Sequence, residues 1–346
     1  MKLLFITQVW DENDSVLGFV PSWADAFRPV STSLSVIALR VSSYTRLDGI
    51  SVYSLGKEKG RGRIQKIFQF YQLVWNLRGS YDTVFVHMNP EYVVLAGFLW
   101  RLLGKKVVLW YAHGSVPPAL RVAEIFVHRI LTSTPEGCRL ESSKIRVIGQ
   151  AIDTELFSPA PHVFFTQKLV VVGRIAETKS QALAVRALAL IHKEYPETTL
   201  EIIGASVYDA DRVYESSVKS LASELRVESF IHWRGPLIRT ELAKELPTAS
   251  LCINMSTNGS LDKAGLEALS AGVPVVTANP AFRVILSGIA DILFVTTQES
   301  AEVATVIHKY LSLPLLEREQ IRTELRVRVI AQHSIATFAE RISRAL

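Results

Sequence analysis

A chain of 346 residues, 49% hydrophobic and 21% charged, has the length for about two domains and the apolar content for well-packed cores, which excludes a disordered chain. Two cysteines, Cys138 and Cys252, exclude a disulfide framework or a cysteine-rich zinc site and read as a reducing compartment. The formal charge of +5 is uneven: residues 1–160 hold 18 Lys and Arg against 13 Asp and Glu, and residues 161–346 hold 20 against 20.

Short apolar runs alternate with longer amphipathic ones. Buried strands are predicted at Leu3–Thr7, Leu34–Leu39, Thr83–His87, Lys106–Ala112 and Ser143–Ile148, then at Leu169–Val172, Leu200–Ile203, Ser229–Trp233, Leu251–Met255, Val273–Thr277 and Ile292–Val295. Helical patterns fall between them, at Ile64–Arg78, Pro90–Leu103, Ser180–Glu194 and Lys263–Ala271, and Ser334–Leu346 reads as a last amphipathic helix. Strand-helix-strand alternation in both halves predicts an α/β protein with two Rossmann-like, doubly wound parallel sheets facing a central cleft. Linker chemistry at Phe157–Gln167 divides the chain into domains 1–160 and 161–346, with the helix at 334–346 free to return to the first.

Met1-Lys2 runs into Leu-Leu-Phe-Ile-Thr and is cut short by Gln8 and Asp11-Glu12-Asn13-Asp14, so no signal peptide is expected. The longest apolar stretch, Tyr92–Trp100, stops at Arg101, short of the ~20 residues of a membrane span. A cytoplasmic location is expected. The positive excess gathers in Lys57, Lys59, Arg61, Arg63 and Lys66, opposed by Glu58. Such a cluster is a solvated loop or a patch for an acidic substrate or the inner face of an anionic membrane. It precedes a helix bearing Ile67, Phe68, Phe70, Tyr71, Val74 and Trp75, most of which read as core. No nucleic-acid-binding signature accompanies it.

Two segments carry chemistry. In Val170–Lys179 a buried strand ends at Gly173, Arg174 emerges at its C-terminal edge, and Lys179 follows just before a helix. Two cations beside a helix N-terminus suit a pyrophosphate, because the helix dipole and free N–H groups add to the side-chain charge; a surface salt-bridge pair is the plainer alternative. In Ser256–Val276 a glycine-bearing loop leads into a helix that Gly272 ends. Its backbone, at Gly259, Ser260, Leu261 and Asp262, offers another anion site. Glu267 on that helix, among Ala268, Ala271 and Gly272, could accept two ribose hydroxyls or simply face solvent.

Val172-Gly173-Arg174 with Lys179, the Leu266-Glu267-Ala268-Leu269 and Ser270-Ala-Gly-Val-Pro-Val-Val stretches, and Ile148-Gly-Gln-Ala-Ile-Asp153-Thr-Glu-Leu-Phe157-Ser-Pro together resemble the retaining GT-B enzymes of glycosyltransferase family 4, in order over nearly the whole chain. The resemblance implies a nucleotide-sugar donor held mainly by the second domain and a sugar or lipid-linked acceptor held mainly by the first. It implies that Arg174 and Lys179 bind the donor diphosphate and stabilise the leaving group, that Glu267 holds the ribose, and that His113, in Trp110-Tyr-Ala-His-Gly, lies beside the donor sugar. It implies that Gly18, in Asp14-Ser-Val-Leu-Gly-Phe, abuts the donor phosphates; here its usual glycine partner is Leu17.

Two departures stand out. The first glutamate of the family's Glu-x7-Glu pair is Gly259, with Asp262 three residues on as its nearest substitute, and the interdomain Asn-Gly is Gln150-Ala151. The expected reaction is a same-face transfer of a hexose, from GDP-mannose or a UDP-hexose, to a hydroxyl of an anionic acceptor. Positioning and electrostatics would carry it. Base recognition is expected after Ile202-Ile203-Gly204 and around Trp233–Leu237. Asp209-Ala210-Asp211 imitates a metal-binding Asp-x-Asp but reads as a helix cap, and neither an essential metal nor another cofactor is expected. The competing readings are a nucleotide-sugar 2-epimerase of the same fold, which would need an acid/base set for proton abstraction, and a non-catalytic sugar-nucleotide binder, motivated by Gly259. A dehydrogenase lacks its Gly-x-Gly-x-x-Gly after either first strand.

Overall fold

The computed structural model describes residues 1–14, 16–160, 167–256 and 259–345. In chain order the elements are β1 (Lys2–Trp10), α1 (Val20–Asp25), β2 (Ser33–Val41), β3 (Ile50–Ser54), α2 (Arg63–Asn76), β4 (Thr83–His87), α3 (Pro90–Leu102), β5 (Lys106–Trp110), α4 (Pro118–Phe126), β6 (Arg129–Thr132) and β7 (Ile145–Val147). They continue with β8 (Lys168–Val172), α5 (Gln181–Ile191), β9 (Thr199–Ile203), α6 (Asp209–Glu224), β10 (Ile231–Gly235), α7 (Arg239–Glu245), β11 (Leu251–Asn254), α8 (Lys263–Ser270), β12 (Val275–Thr277), α9 (Ala290–Leu293), α10 (Ser300–Leu311), α11 (Leu315–His333) and α12 (Phe338–Ala345).

Two compact units result: Met1–Ala151 with Ile335–Leu346, and Ile152–Ser334. The division falls at Ala151/Ile152 rather than at the expected 160/161. The reason is local packing: Phe157 is fully buried in the second core, and its carbonyl accepts from Ser270 Oγ at 2.7 Å and Arg326 Nη1 at 3.0 Å. Residues 161–166 of the expected linker lie outside the described residues.

The first unit is a parallel seven-stranded sheet, ordered β3-β2-β1-β4-β5-β6-β7. A parallel sheet must be covered on both faces, so its strands read as unbroken apolar runs; Leu3 to Thr7 of β1 are all buried. One face packs against α2, α3 and α4 through Phe70, Val74, Val93, Trp100 and Leu120. The other packs against α1 and α12, where Trp23, Trp110 and Phe338 form an aromatic cluster. The stretch predicted as one helix at 334–346 is a 3-10 turn at Ile335–Thr337 followed by α12. Arg341 of α12 donates to the carbonyls of Ile148 and Gln150, which ties it to the first unit.

The second unit is a parallel five-stranded sheet, ordered β10-β9-β8-β11-β12. Its strand order reverses beside its first strand, so the C-terminal ends of β8 and β11 sit together at a topological switch point. Doubly wound sheets bind ligands there. The strand predicted at Ile292–Val295 is instead α9 with a single bridge from Phe294 to Thr277; four apolar residues fit a buried turn of helix as well as a strand. Two strands escaped prediction, β3 and β6, both short.

Gly204, at the end of β9, has φ +145°, and a Cβ there would stand 1.9 Å from the carbonyl oxygen of Gly173. Backbone faces backbone at this point, and neither side can yield. Gly204→Ala should therefore lower the stability of the second unit by about 2 kcal/mol or more, read as a lower urea midpoint.

Candidate active site

The loop after β8 begins at Gly173, whose N–H donates to the Ile203 carbonyl at 2.9 Å and whose φ is +133°. A Cβ on Gly173 would lie 3.3 Å from Lys179 Cε, so the missing side chain leaves the lysine room to lie along the strand end. Lys179 closes a 3-10 turn, Glu177–Lys179, and α5 follows directly. Its ammonium pairs with Asp262. That ion pair joins the loop after β8 to the loop after β11 across the switch point.

Asp262 is the N-cap of α8: its Oδ1 accepts from Ala264 N at 3.2 Å. Burial pushes its carboxyl up, but Lys179, Asn254 and the Ala264 N–H outweigh that and hold it below the usual carboxylate range. The sequence offered Asp262 as a substitute for the absent glutamate at Gly259. In the structure its carboxylate is already committed to Lys179 and to the start of α8. Around it, the Ser260 carbonyl accepts from Asn279 Nδ2 at 2.9 Å, Leu261 is buried and Gly259 has φ +79°. The loop from Gly259 to Asp262 is thus held from the strand side and from β12. The neighbouring residues 257 and 258 lie outside the described ones.

Arg174 leaves β8 in the other direction. Its Nε lies 3.7 Å from Asp211 Oδ2 and its guanidinium stands over the Tyr208 ring at 5.2 Å. Asp211 Oδ2 also accepts from the N–H groups of Val207 and Tyr208, at 3.1 and 3.0 Å. Against the upward push of burial, these N–H groups and Arg174 hold Asp211 below its usual range. Asp209 is exposed and pairs with Arg212. The Asp-x-Asp sequence thus starts α6, and its second member orients Arg174.

Glu267 stands one turn into α8 and is half-buried. Burial raises its carboxyl to about 7, against the lowering pull of Arg239 and Lys263. Burial likewise drives Lys263 well below the usual ammonium value, against Glu267. Arg239, at the start of α7, stands 3.9 Å from Asp153 Oδ2 and over the Phe157 ring at 5.7 Å. Sequence reasoning gave no role to Arg239 or Lys263. Their signal was weak: Arg239 follows Gly235-Pro-Leu-Ile directly after the region marked for base recognition, and Lys263 adjoins Asp262.

Arg174, Lys179, Gly173, Gly259, Ser260, Leu261, Asp262 and Glu267 all belong to the second unit. His113 and Gly18 belong to the first. His113 follows β5 and is exposed; its Nδ1 accepts from Ser115 N at 3.2 Å and lies 2.8 Å from Ser115 Oγ. A ring nitrogen that accepts a backbone N–H holds no proton, so neutral His113 carries its proton on Nε2 and presents a donor. Gly18 N donates to the Asp14 carbonyl at 2.9 Å, and a Cβ on Gly18 would meet that oxygen at 2.6 Å. Its own N–H is therefore engaged within the turn. Among the described residues no group of three or more His, Cys, Asp or Glu could hold a metal ion, and no helix is long and apolar enough to cross a membrane.

Residues 166–312 match the family model for glycosyl transferases group 1. The matched residues lie within the second unit. A D-inositol 3-phosphate glycosyltransferase of Thermobispora bispora is 26% identical over 58% of this chain, and one of Kineococcus radiotolerans is 28% identical over 40%. The chain spans about half the length of the first of these relatives, 55%, and 35% of the second. Across its full length the chain resembles crystal structures of HepE from Anabaena in complex with UDP and glucose (TM-score 0.79, 15% identity, 99% of this chain and 98% of that one). It also resembles sucrose-phosphate synthase from Thermosynechococcus elongatus (TM-score 0.74, 15% identity, 99% and 98%). The two units thus have the GT-B fold, two Rossmann-like parallel-sheet domains.

Because the native Glu267 keeps its proton to about pH 7 while an unfolded glutamate releases it near its ordinary value, the folded state binds more protons in that window. Stability should fall as pH rises from about 4.5 to about 7 and level off above. Glu267→Gln should lack this slope, seen as a smaller difference between melting temperatures at pH 5 and pH 8 than in the wild type.

Proposed function

We propose that the chain transfers a hexose from a nucleoside diphosphate sugar to an acceptor hydroxyl, with retention at the anomeric carbon and no resident metal. One observation carries the reading: within the residues that match the group 1 glycosyl transferase model, Arg174 and Lys179 emerge on either side of the strand end at the switch point, with the N-terminus of α8 facing Lys179. These groups suit a diphosphate whose negative charge grows as it leaves. The bond from the sugar carbon to the diphosphate oxygen breaks, the acceptor oxygen bonds to that carbon on the same face, and the acceptor's proton passes to the departing phosphate. Arg174 and Lys179 neutralise the leaving group, Glu267 holds the ribose, and the Nε2 donor of His113 contacts the sugar.

A UDP-hexose is the proposed donor. HepE, similar over the whole chain, has been crystallised with UDP and with UDP-glucose. GDP-mannose, expected from the sequence, is the competing donor. For the acceptor we propose an anionic molecule, a sugar acid or a phosphorylated or lipid-linked sugar. The positive excess of residues 1–160 supports this, as do the relatives named D-inositol 3-phosphate glycosyltransferases. A second reading, a sugar-nucleotide binder without turnover, is favoured by Gly259 in place of a carboxylate.

A thermal-shift panel of UDP, GDP, ADP, UDP-glucose and GDP-mannose tests the proposal. UDP compounds should stabilise the wild type, and Arg174→Ala and Glu267→Ala should each weaken binding about tenfold or more. Equal shifts with every nucleotide, or none, would reject the donor assignment. Retention of UDP-glucose intact in the presence of an acceptor panel would favour the binder. Bound diphosphate must also compete with the Asp262 carboxylate for Lys179, so Asp262→Asn should bind UDP at least as tightly as the wild type, measured by calorimetry.

A further inference from the structure

Helix α8 leaves little of itself accessible. Gly265, Leu266, Ala268, Leu269 and Ser270 are buried, and a Cβ on Gly265 would meet Phe282 Cζ at 2.7 Å. The accessible strip is Lys263, Ala264 and Glu267. Lys263 opens the helix and Glu267 follows four residues later, so the two charged side chains share one face, a turn apart.

Folding gives no reason for a lysine at this position. A cation in the first turn opposes the helix dipole, and lysine before glutamate is the weaker order of an i, i+4 pair. Arg239, at the start of α7, adds a second positive charge to the same surroundings. Glu267 favours the ammonium, yet burial and Arg239 outweigh it. Groups whose charge the fold disfavours concentrate at functional sites.

The order of charges along α8 selects the ligand group that would correct the imbalance. Glu267 lies one turn, about 5.4 Å, further from the helix N-terminus than Lys263. On the other side of Lys263 come the N-cap Asp262 and its partner Lys179. From Glu267 outward the order is thus carboxylate, ammonium, helix N-terminus, ammonium. A nucleoside diphosphate carries its groups in the matching order of ribose diol, inner phosphate and outer phosphate.

We propose that Lys263 is a further cation of the donor site, pairing with the inner phosphate, the one bonded to the ribose that Glu267 holds. Arg174 and Lys179 hold the outer phosphate, from which the sugar departs. The assignment rests on the nucleotide-sugar reading of the site. An anion beside Lys263 offsets the repulsion from Arg239 and favours the charge that burial opposes. The inner phosphate keeps its charge throughout the reaction, so Lys263 serves binding, and the growing charge on the outer phosphate falls to Arg174 and Lys179.

Calorimetry of the full chain with UDP, UMP and uridine tests this, with the guanosine series in their place if the nucleotide panel selects GDP. Uridine is measured by its competition with UDP. Lys263→Met should weaken UDP and UMP by the same factor, about tenfold, and leave uridine unchanged, because the phosphate contact alone is lost. Lys179→Met should weaken UDP more than UMP, and Lys263→Arg should keep most of the UMP affinity. Melting temperature separates binding from support of the fold. Lys263→Met should melt no lower than the wild type, because it removes a charge that the fold disfavours. UMP affinity unaltered in Lys263→Met, with UDP still bound, overturns the assignment and leaves the donor reading standing. A uridine loss as large as the UMP loss, or a lower melting temperature with equal loss of all three ligands, also overturns it. A wild type that binds no nucleotide overturns the donor reading and the assignment together.

Discussion

The reversal of strand order beside β8 is the constraint on which the second unit depends. Parallel strands are joined by right-handed crossovers, and this chain lays β9 and β10 on one side of β8 and β11 on the other. The loops leaving β8 and β11 then diverge from neighbouring strand ends and leave a crevice. The Lys179–Asp262 ion pair spans it, and Gly173 leaves room for the lysine stem. Lys179 and the N-terminus of α8 meet here for topological reasons before any question of chemistry arises.

The cations around that crevice already have internal carboxylate partners. Asp262 supplies a carboxylate at the helix N-cap, where a phosphate would profit from the same N–H groups. It thereby offsets part of the positive charge that Lys179 provides. Arg174 is tempered in the same way by Asp211. On the first turn of α8, burial leaves Lys263 and Glu267 with shifts in opposite directions, the mark of charged groups whose solvation is incomplete. A polyanionic ligand would replace internal carboxylates as the partner of these cations, so binding exchanges one set of ion pairs for another.

The first unit obeys the same parallel-sheet rule with a different outcome. Covering the sheet needs one apolar side per helix, and Phe70, Val93 and Leu120 meet that need. The exposed aromatic residues of α2 and α3, Phe68, Trp75 and Phe98, contribute nothing to that core. On the other face of the sheet, α12 brings Phe338 and Ile342 into the core, so the C-terminal residues complete the unit formed by the N-terminal ones.

Most buried strands were legible because parallel strands covered on both faces are apolar throughout, and helices α2, α3, α5 and α8 because their periodicity is plain. Among the strands the exceptions were short: β3, β6 and the turn of helix at Ala290–Leu293 taken for a strand, where few residues cannot separate one period from another. Gly173, Arg174 and Lys179 were legible because glycine at a strand end followed by cations before a helix has a local meaning, whereas Glu267 stood out only through the family resemblance. What Asp262 does was not legible, since its partner Lys179 lies in a distant loop and only the strand order brings them together. The same holds for Arg239 beside Asp153, and for which aromatic residues of α2 face water. Sequence alone determined the fold class, the alternation and the chemistry on offer, because these are encoded over a few residues at a time. Tertiary structure alone decided which charges neutralise each other and which apolar faces stay uncovered, because both depend on contacts between segments far apart in the chain.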